Sequence, residues 1–483
     1  MKFKYILSIK FIIIYSVFFI SCKTQFREDP APAITNIGTL NLSKYVAIGS
    51  SISAGFADNA LYNDGQANAY PNLLANKFKE GNTSLVFNQP KIESENGWAG
   101  GTNGKLELAL PACGTIAVTG RNLAGENAML PYNGNKSELT NLAVPFIRIE
   151  NINTPAVSAG TSFNNPLPYY NRLVDVATTK GLAQEARLRN ASFFTIWLGY
   201  TDALRYATTG GTTALVTTEV FKTNIYVLLD SLLSVPNAKG VIATIPYVDQ
   251  FPVITNNNRR LTSSTDPAKN PVKFTQVQAD EFNAVIGKNI FSGALGNNNF
   301  YAIQKTDGSI RQLKTTQDFI VRGADLDKTG LGKVDSLSVR NCIANLNQRS
   351  KLGFAKALSD TAVLDKEEII TLRAQIDAYN NAIIEAIAER NNNGFKLALV
   401  DMNLFYKNLL DPSSGIQYGS LITRANHASL GPDFGGFYSL DRINPTPRGQ
   451  SLIANEFIKS INQYFGSNFT LYDPASFRAN KIP

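Results

Sequence analysis

The chain has 483 residues, 44% hydrophobic and only 17% charged, which suits a globular protein with a sizeable core. Its formal charge of +8 includes Lys2, Lys4 and Lys10 of the leader, and falls to +5 without them; with no basic block interleaved with aromatics, nucleic-acid binding is excluded. One histidine, His427, and no cysteine pair at ligand spacing exclude a metal site.

Residues 1–22 read as a secretory signal. The three lysines precede the apolar run Phe11–Ile20, and Phe19-Ile20-Ser21-Cys22 closes it. The run is too short to span a membrane. A cysteine directly after a small residue resembles a bacterial lipoprotein box, which makes Cys22 the lipidated mature N-terminus; a plain cleaved signal is the alternative. Residues 23–38, containing DPAPAITN, form a polar tether, and the folded part begins at about residue 39. Cys113 and Cys342 remain after processing, and are consistent with a disulfide in an oxidising envelope or with two buried thiols.

Apolar runs at Tyr45–Ile48, Ser84–Phe87, Ser192–Leu198, Gly240–Ile245 and Phe395–Val400 predict strands. Helical patterns separate them, one starting at Asn68–Leu74, one near Thr212–Leu233 and one from Arg448 through Phe465. The clearest spans Lys366–Arg390, where Ile369, Leu372, Ile376, Tyr379, Ile383 and Ile387 recur three or four apart. Asp365 with Glu368 predicts a capping box at its start, and Gly394 its stop. Apolar strands alternating with amphipathic helices predict an α/β fold with a parallel sheet covered on both faces. Residues of about 251–351 break the rhythm and read as an insertion on the functional edge of the sheet. The insertion carries a hairpin signal, YAIQ-KTDG-SIRQL, with Asp307-Gly308 at the turn. Residues 471–483 form a C-terminal tail. The Gly-rich stretch Gly97–Gly104 lacks phosphate-loop spacing, so no nucleotide and no other cofactor is expected.

The segment Tyr45–Phe56, YVAIGSSISAGF, seats Ser51 between a buried strand and a small-residue turn. A serine there lies where open α/β sheets bind ligands. The pattern resembles block I of the GDSL/SGNH ester hydrolases, with Ser51 at the nucleophile position. The resemblance runs over about residues 40–470, and is nearest to the long lipoprotein branch of Bacteroidetes-type bacteria. It implies a flavodoxin-like three-layer α/β/α sandwich, a serine nucleophile, an oxyanion hole and an Asp-x-x-His pair. Gly97 or Gly100 matches the block II oxyanion glycine. Ile196–Asp202, IWLGYTD, matches block III, with Thr201 where the family has asparagine. Asp441-Arg442-Ile443-Asn444-Pro445 matches Asp-x-x-His-Pro, with Asn444 at the histidine.

Three departures follow. Ser50 stands where the family has aspartate and alters the support of the nucleophile. Thr201 keeps a hydroxyl donor of shorter reach; losing an oxyanion donor typically costs about 10²–10³ in rate. Asn444 is the severe change, because an amide cannot take the serine proton. His427, in Arg424–Ala428, is the only imidazole that could swing in as a base, and a plain loop histidine is the other reading. Asp441 could act on Ser51 directly or through water, and Asp202 reads equally as a helix N-cap or a site residue. The resemblance thus implies an exported lipoprotein, anchored to a membrane of the cell envelope (the outer membrane in that branch). It either hydrolyses an acyl ester of a lipid or glycan, or binds such a ligand or a partner without turnover; a purely structural lipoprotein is the weaker third reading.

Overall fold

The structure, a computed structural model, describes residues 35–98, 105–109, 117–120, 131–154, 167–175, 180–255, 276–286, 289–293, 302–314, 317–321, 358–410 and 436–481. Tyr45–Gly49 (β1), Phe193–Trp197 (β2), Lys239–Ala243 (β3) and Lys396–Val400 (β4) pair in that order as a parallel sheet. In register, Tyr45 lies opposite Phe193, and Lys396 opposite Lys239. Every residue of β1 and β2 is buried, as a parallel sheet covered on both faces requires.

The strand expected at Ser84–Phe87 does not form. The free edge of β1 is taken instead by Thr140–Val144, which runs parallel to it. Ala47 N–H donates to Thr140 O at 2.9 Å, while Leu142 and Val144 N–H donate to Ala47 O at 2.8 Å and Gly49 O at 3.0 Å. With that edge filled, Ser84–Phe87 has no ladder to join. Phe87 serves the core differently, stacking on Tyr45 at 5.1 Å.

The helices that position the site are Ser51–Ala54 (α1), Tyr70–Gly81 (α2), Tyr200–Thr208 (α3), Thr218–Leu233 (α4), Lys366–Asn392 (α5), Met402–Leu410 (α6) and Pro447–Phe465 (α7). Helix α4 starts later than the pattern near Thr212 suggests, because Thr217 caps it by accepting from Val220 N–H. In α5 the Asp365/Glu368 capping box is formed, and Leu372, Ile376, Tyr379, Ile383 and Ile387 make the buried stripe, with Ile369 at its margin. Gly394 adopts φ +91° just past its end, a backbone conformation that suits glycine. Aromatic stacking joins the helix pairs: Tyr70 on Phe457 at 4.7 Å between α2 and α7, and Phe221 on Tyr379 at 4.3 Å between α4 and α5.

The predicted hairpin is present, Ala302–Gln304 pairing antiparallel with Ile310–Gln312. Leu358–Ser359 adds to it in parallel, and Phe319–Ile320 pairs with Val363–Leu364. These short strands enclose a small core of Ile303, Leu313, Ile320, Leu358, Ala362 and Val363. Ion pairs dock that core onto the start of α5: Lys305 Nζ lies 2.9 Å from Asp365 and 2.7 Å from Glu368. Residues Asn36–Pro483 form one compact unit, and no helix among the described residues is long and apolar enough to cross a membrane.

Asp365 thus caps α5 and neutralises Lys305 at once. Replacing it (Asp365→Ala) should lower stability by about 2 kcal/mol, an N-cap together with a charge-assisted hydrogen bond. Urea unfolding should show the midpoint falling with the slope unchanged; a midpoint that does not move would deny the residue this double role.

Candidate functional site

Two short connections meet at the carboxyl ends of β1 and β2. The chain leaves β1 towards the Thr140–Val144 side and leaves β2 towards β3, and such a reversal of strand order is the usual ligand position in an open parallel sheet. Ser50 and Ser51 follow β1, while Gly199, Tyr200 and Thr201 follow β2. Gly199 holds φ +97°, and a Cβ there would meet Ile245 Cδ1 at 2.4 Å, so only glycine fits this turn.

Hydroxyls tie the two connections together. Ser50 Oγ and Thr201 Oγ1 lie 2.7 Å apart and are buried. Thr201, expected as an oxyanion donor, is therefore partnered with Ser50. Tyr200 Oη accepts from Ile52 N–H at 2.8 Å and lies close to Ser50, Ser51 and Thr201. Burial raises the Tyr200 pKa, so its hydroxyl stays protonated and cannot serve as a base.

Ser51 Oγ accepts a hydrogen bond from Phe146 N–H at 3.1 Å. Sequence reasoning missed this donor. The expectation of Gly97 or Gly100 came from the block II resemblance; Phe146 instead reaches φ +65°, a conformation glycine usually takes. The overlooked signal was the apolar run Leu142–Val144 ahead of Pro145, a second strand lane beside β1. Phe146 is held in place by Phe56, edge to face at 5.0 Å, and by Tyr169 at 6.0 Å. Gly97 has another duty. Its N–H donates to Ser94 Oγ at 3.1 Å, and a Cβ on it would strike Leu61 O at 2.2 Å. Gly100 lies outside the described residues, as do His427, Cys22, Cys113 and Cys342.

Asp441 and Asn444 form a closed pair. Asn444 Nδ2 donates to Asp441 Oδ2 at 2.9 Å, and Asp441 Oδ1 accepts from Ile443 and Asn444 N–H at 2.9 and 2.8 Å. A fourth donor, Asn59 N–H, reaches Asp441 Oδ2 at 3.2 Å. Burial pushes the Asp441 carboxyl pKa up against these hydrogen bonds, which favour the ionised form. None of these bonds goes to Ser51. Asn444 is buried, and its Oδ1 has no partner among the described residues.

Asp58 was also missed. With Asn59 it forms the turn between Phe56–Ala57 and Ala60–Leu61, both residues at positive φ, as a two-residue hairpin turn demands. Its backbone N–H donates to Ser439 Oγ at 2.9 Å, and its carboxylate accepts from Leu440 N–H at 3.0 Å and Tyr62 Oη at 2.8 Å. The hairpin that follows Ser51 thereby grips the Asp441 loop. Gln450 of α7 adds a second tether, donating to Ile52 O at 3.0 Å and accepting from Tyr70 N–H at 3.0 Å.

Asp202 is not the helix N-cap that was one of its two expected roles. The cap of α3 is Gly199, and the Asp202 carboxylate instead accepts from Ile149 N–H at 3.1 and 3.3 Å. It anchors the chain three residues beyond Phe146. Among the described residues no group of three or more histidine, cysteine, aspartate or glutamate side chains could hold a metal ion.

No protein-family model matches this chain, and no curated protein matches it.

Burial pushes the Asp202 pKa up to about 7, with the Ile149 hydrogen bond and Arg148 opposing the rise. A carboxyl raised in the folded state costs stability as pH climbs from its unfolded value through its folded one, here from about 4 to about 7, and the penalty stays constant above. Asp202→Asn keeps an acceptor for Ile149 without the charge. It should therefore stabilise the protein by a few kcal/mol at pH 8 and by almost nothing near pH 4. Denaturant titrations at the two pH values would show this; an equal effect at both would refute the buried-charge account.

Proposed function

We propose that the chain is an envelope lipoprotein of the GDSL/SGNH type, with a flavodoxin-like three-layer sandwich, whose site binds an acylated lipid or glycan and has lost ester hydrolysis. One observation carries the reading. Asn444 Nδ2 donates to Asp441 at 2.9 Å, in the place where the family's histidine would donate a ring N–H to the same aspartate. The architecture of the pair is kept, and the group that would accept the Ser51 proton is replaced by an amide that accepts none. Losing a triad histidine lowers turnover roughly a millionfold in one serine protease. The Phe146 N–H still meets Ser51, and Phe146 is linked through Tyr169, at 6.0 Å, to the partly exposed ring of Trp98, at 5.0 Å from Tyr169, which puts polar and apolar groups in one neighbourhood.

The test is hydrolysis of short p-nitrophenyl acyl esters. The natural protein should show almost none. Asn444→His, combined with Ser50→Asp and Thr201→Asn, should raise turnover by roughly 10²-fold or more, the usual contribution of a placed general base. Robust hydrolysis by the unmodified protein that vanishes with Ser51→Ala would overturn the reading. If His427→Ala abolished it too, a relocated base would be the explanation.

Location follows from Cys22. Lipid on this cysteine would hold the domain at a membrane through residues 23–38, and several acyl chains exceed the single chain that binds only marginally. The protein should therefore stay with membranes through a salt wash, and Cys22→Ala should leave it unprocessed at that site or released. A mature N-terminus elsewhere, on a freely soluble protein, would refute the anchor.

A further inference from the structure

The chain enters its compact unit at the amino end of the sheet, opposite Ser51. Asn36 N–H donates to Asn468 Oδ1 at 2.6 Å, and Thr39 N–H donates to Phe465 O, at the end of α7, at 2.9 Å. Lys239, the first residue of β3, donates to Thr39 O through its ammonium. Asn41 O accepts from Ser192 Oγ at 2.9 Å, one residue before β2. Residues 36–44 therefore cross under β3 and β2 before rising into β1. The five residues of β1 then lift Ser51 about 15 Å away from this end.

This end keeps apolar side chains in water. Phe395, directly before β4, is 38% exposed, and Tyr464, in the last turn of α7, is 44% exposed; they are the two aromatic residues left exposed among the described residues. Tyr464 packs edge to face on Phe465 at 4.9 Å, and Phe465 on Phe193, the first residue of β2, at 5.8 Å. Leu188, five residues ahead of β2, is exposed too, as is Val86, beside the Phe87 that stacks on Tyr45. Cations stand among them: Lys44 before β1, Lys239 opening β3 and Lys396 opening β4. Acidic groups at the neighbouring helix ends are already paired, Glu80 with Lys77 at 2.9 Å, Asp230 with Arg390 at 2.8 Å and Glu389 with Arg390 at 3.5 Å. Helices α2, α4, α5 and α7 end on this side, and lysines offset the negative ends of their dipoles. Dipole balance gives no reason for exposed aromatic rings. A bilayer interface takes both, the rings at headgroup level and the ammonium groups against anionic lipid.

On the anchored-lipoprotein reading above, we propose that this amino-end face rests on an anionic bilayer, with Ser51 turned away from it. The occupant follows from the path of the chain. Thirteen residues, 23–35, separate Cys22 from the entry point at Asn36, and they span at most about 45 Å. Lipid on Cys22 keeps the entry point near the membrane, so the face around it meets lipid at high local concentration. The ligand of the Ser51 side then arrives from solvent, which favours a glycan over a lipid of the anchoring membrane.

The experiment holds the mature chain on vesicles by a polyhistidine tag in place of Cys22, using nickel-chelating lipid, so that it does not depend on native lipidation. Lysine acetylation is read by mass spectrometry, in solution and on vesicles of phosphatidylcholine and phosphatidylglycerol mixed two to one. Lys44, Lys396 and Lys79, near the end of α2, should lose reactivity on the vesicles. Lys366 at the start of α5 and Lys407 beside Tyr247 lie towards the carboxyl ends and should keep theirs. Lys44→Gln with Lys396→Gln should lower the ratio of docked to free protein about 25-fold, fivefold for each cation at an anionic surface, as read from Lys79. Phe395→Ser with Tyr464→Ser should expose Lys44 and Lys396 again while the tag still holds the protein on the vesicle. The inference is overturned if Lys366 and Lys407 are shielded instead, if all five lysines stay equally reactive, or if pure phosphatidylcholine shields as well as the anionic mixture. Shielding in solution that grows with protein concentration overturns it in favour of a second copy on this face. None of these outcomes touches Cys22, whose lipidation is read from the mature N-terminus, so the two readings fail separately.

Discussion

The structure depends on how the two edges of β1 are filled. On one side Tyr45–Gly49 pairs in register with β2, and on the other its backbone is taken by Thr140–Val144. A strand so enclosed has no unsatisfied edge and no solvated face, which fixes the direction in which its carboxyl end points. Ser50 and Ser51 leave that end into a one-turn helix. The neighbouring lane ends two residues before Phe146, so its N–H arrives over Ser51 as a consequence of sheet pairing. The positive φ of Phe146 is the strain this delivery requires. Edge-to-face packing on Phe56 supplies the compensation.

Much of this could be read from the chain. The runs that became β1 to β4 are short, apolar and rich in branched or aromatic residues, and the stripe of α5 repeats at helical spacing over many turns. Such patterns depend on local sequence and survive without knowledge of neighbours. The edge lane at Thr140–Val144 was not legible in the same way. Its hydrogen-bond partners are almost a hundred residues earlier, and Ser84–Phe87 looks the better strand by composition. Only competition for one edge of β1 decides between them. The site divides along the same line. Ser51, Asp441 and Asn444 stand out through the motif resemblance, whereas Phe146 contributes a backbone N–H that no side chain advertises. Asp58 was hidden for a related reason, since its role comes from a turn meeting a loop far along the chain.

The substitutions around Ser51 make sense as matched changes. Ser50 and Thr201 both bear small hydroxyls, at positions where the GDSL/SGNH motifs that the sequence resembles have aspartate and asparagine, and the two hydroxyls meet at 2.7 Å in a buried place. A buried aspartate at position 50 facing a threonine would hold a charge with one weak donor. A buried asparagine at position 201 facing a serine would leave amide hydrogens unpaired. Changing both keeps every polar atom of the pair satisfied and neutral. The pair therefore supports the turn, and its hydroxyls face one another instead of a developing oxyanion.

Asn444 completes the logic. Asp441 is held by four donors, two of them backbone groups of its own turn and a third from the Asp58-Asn59 hairpin, so the loop keeps its shape without any imidazole. An amide at position 444 donates the same hydrogen bond to Asp441 that a ring nitrogen would. It presents an acceptor on its other side that is far too weak a base to draw a proton from serine. Loop conformation and proton transfer are thus separable here. The first rests on backbone groups and a carboxylate, and the second would rest on one ring that the chain does not place at this position. A well-held loop around Asp441 is consequently no argument for hydrolysis. The unpaired Oδ1 is the feature that an amide brings to this position and an imidazole would lack.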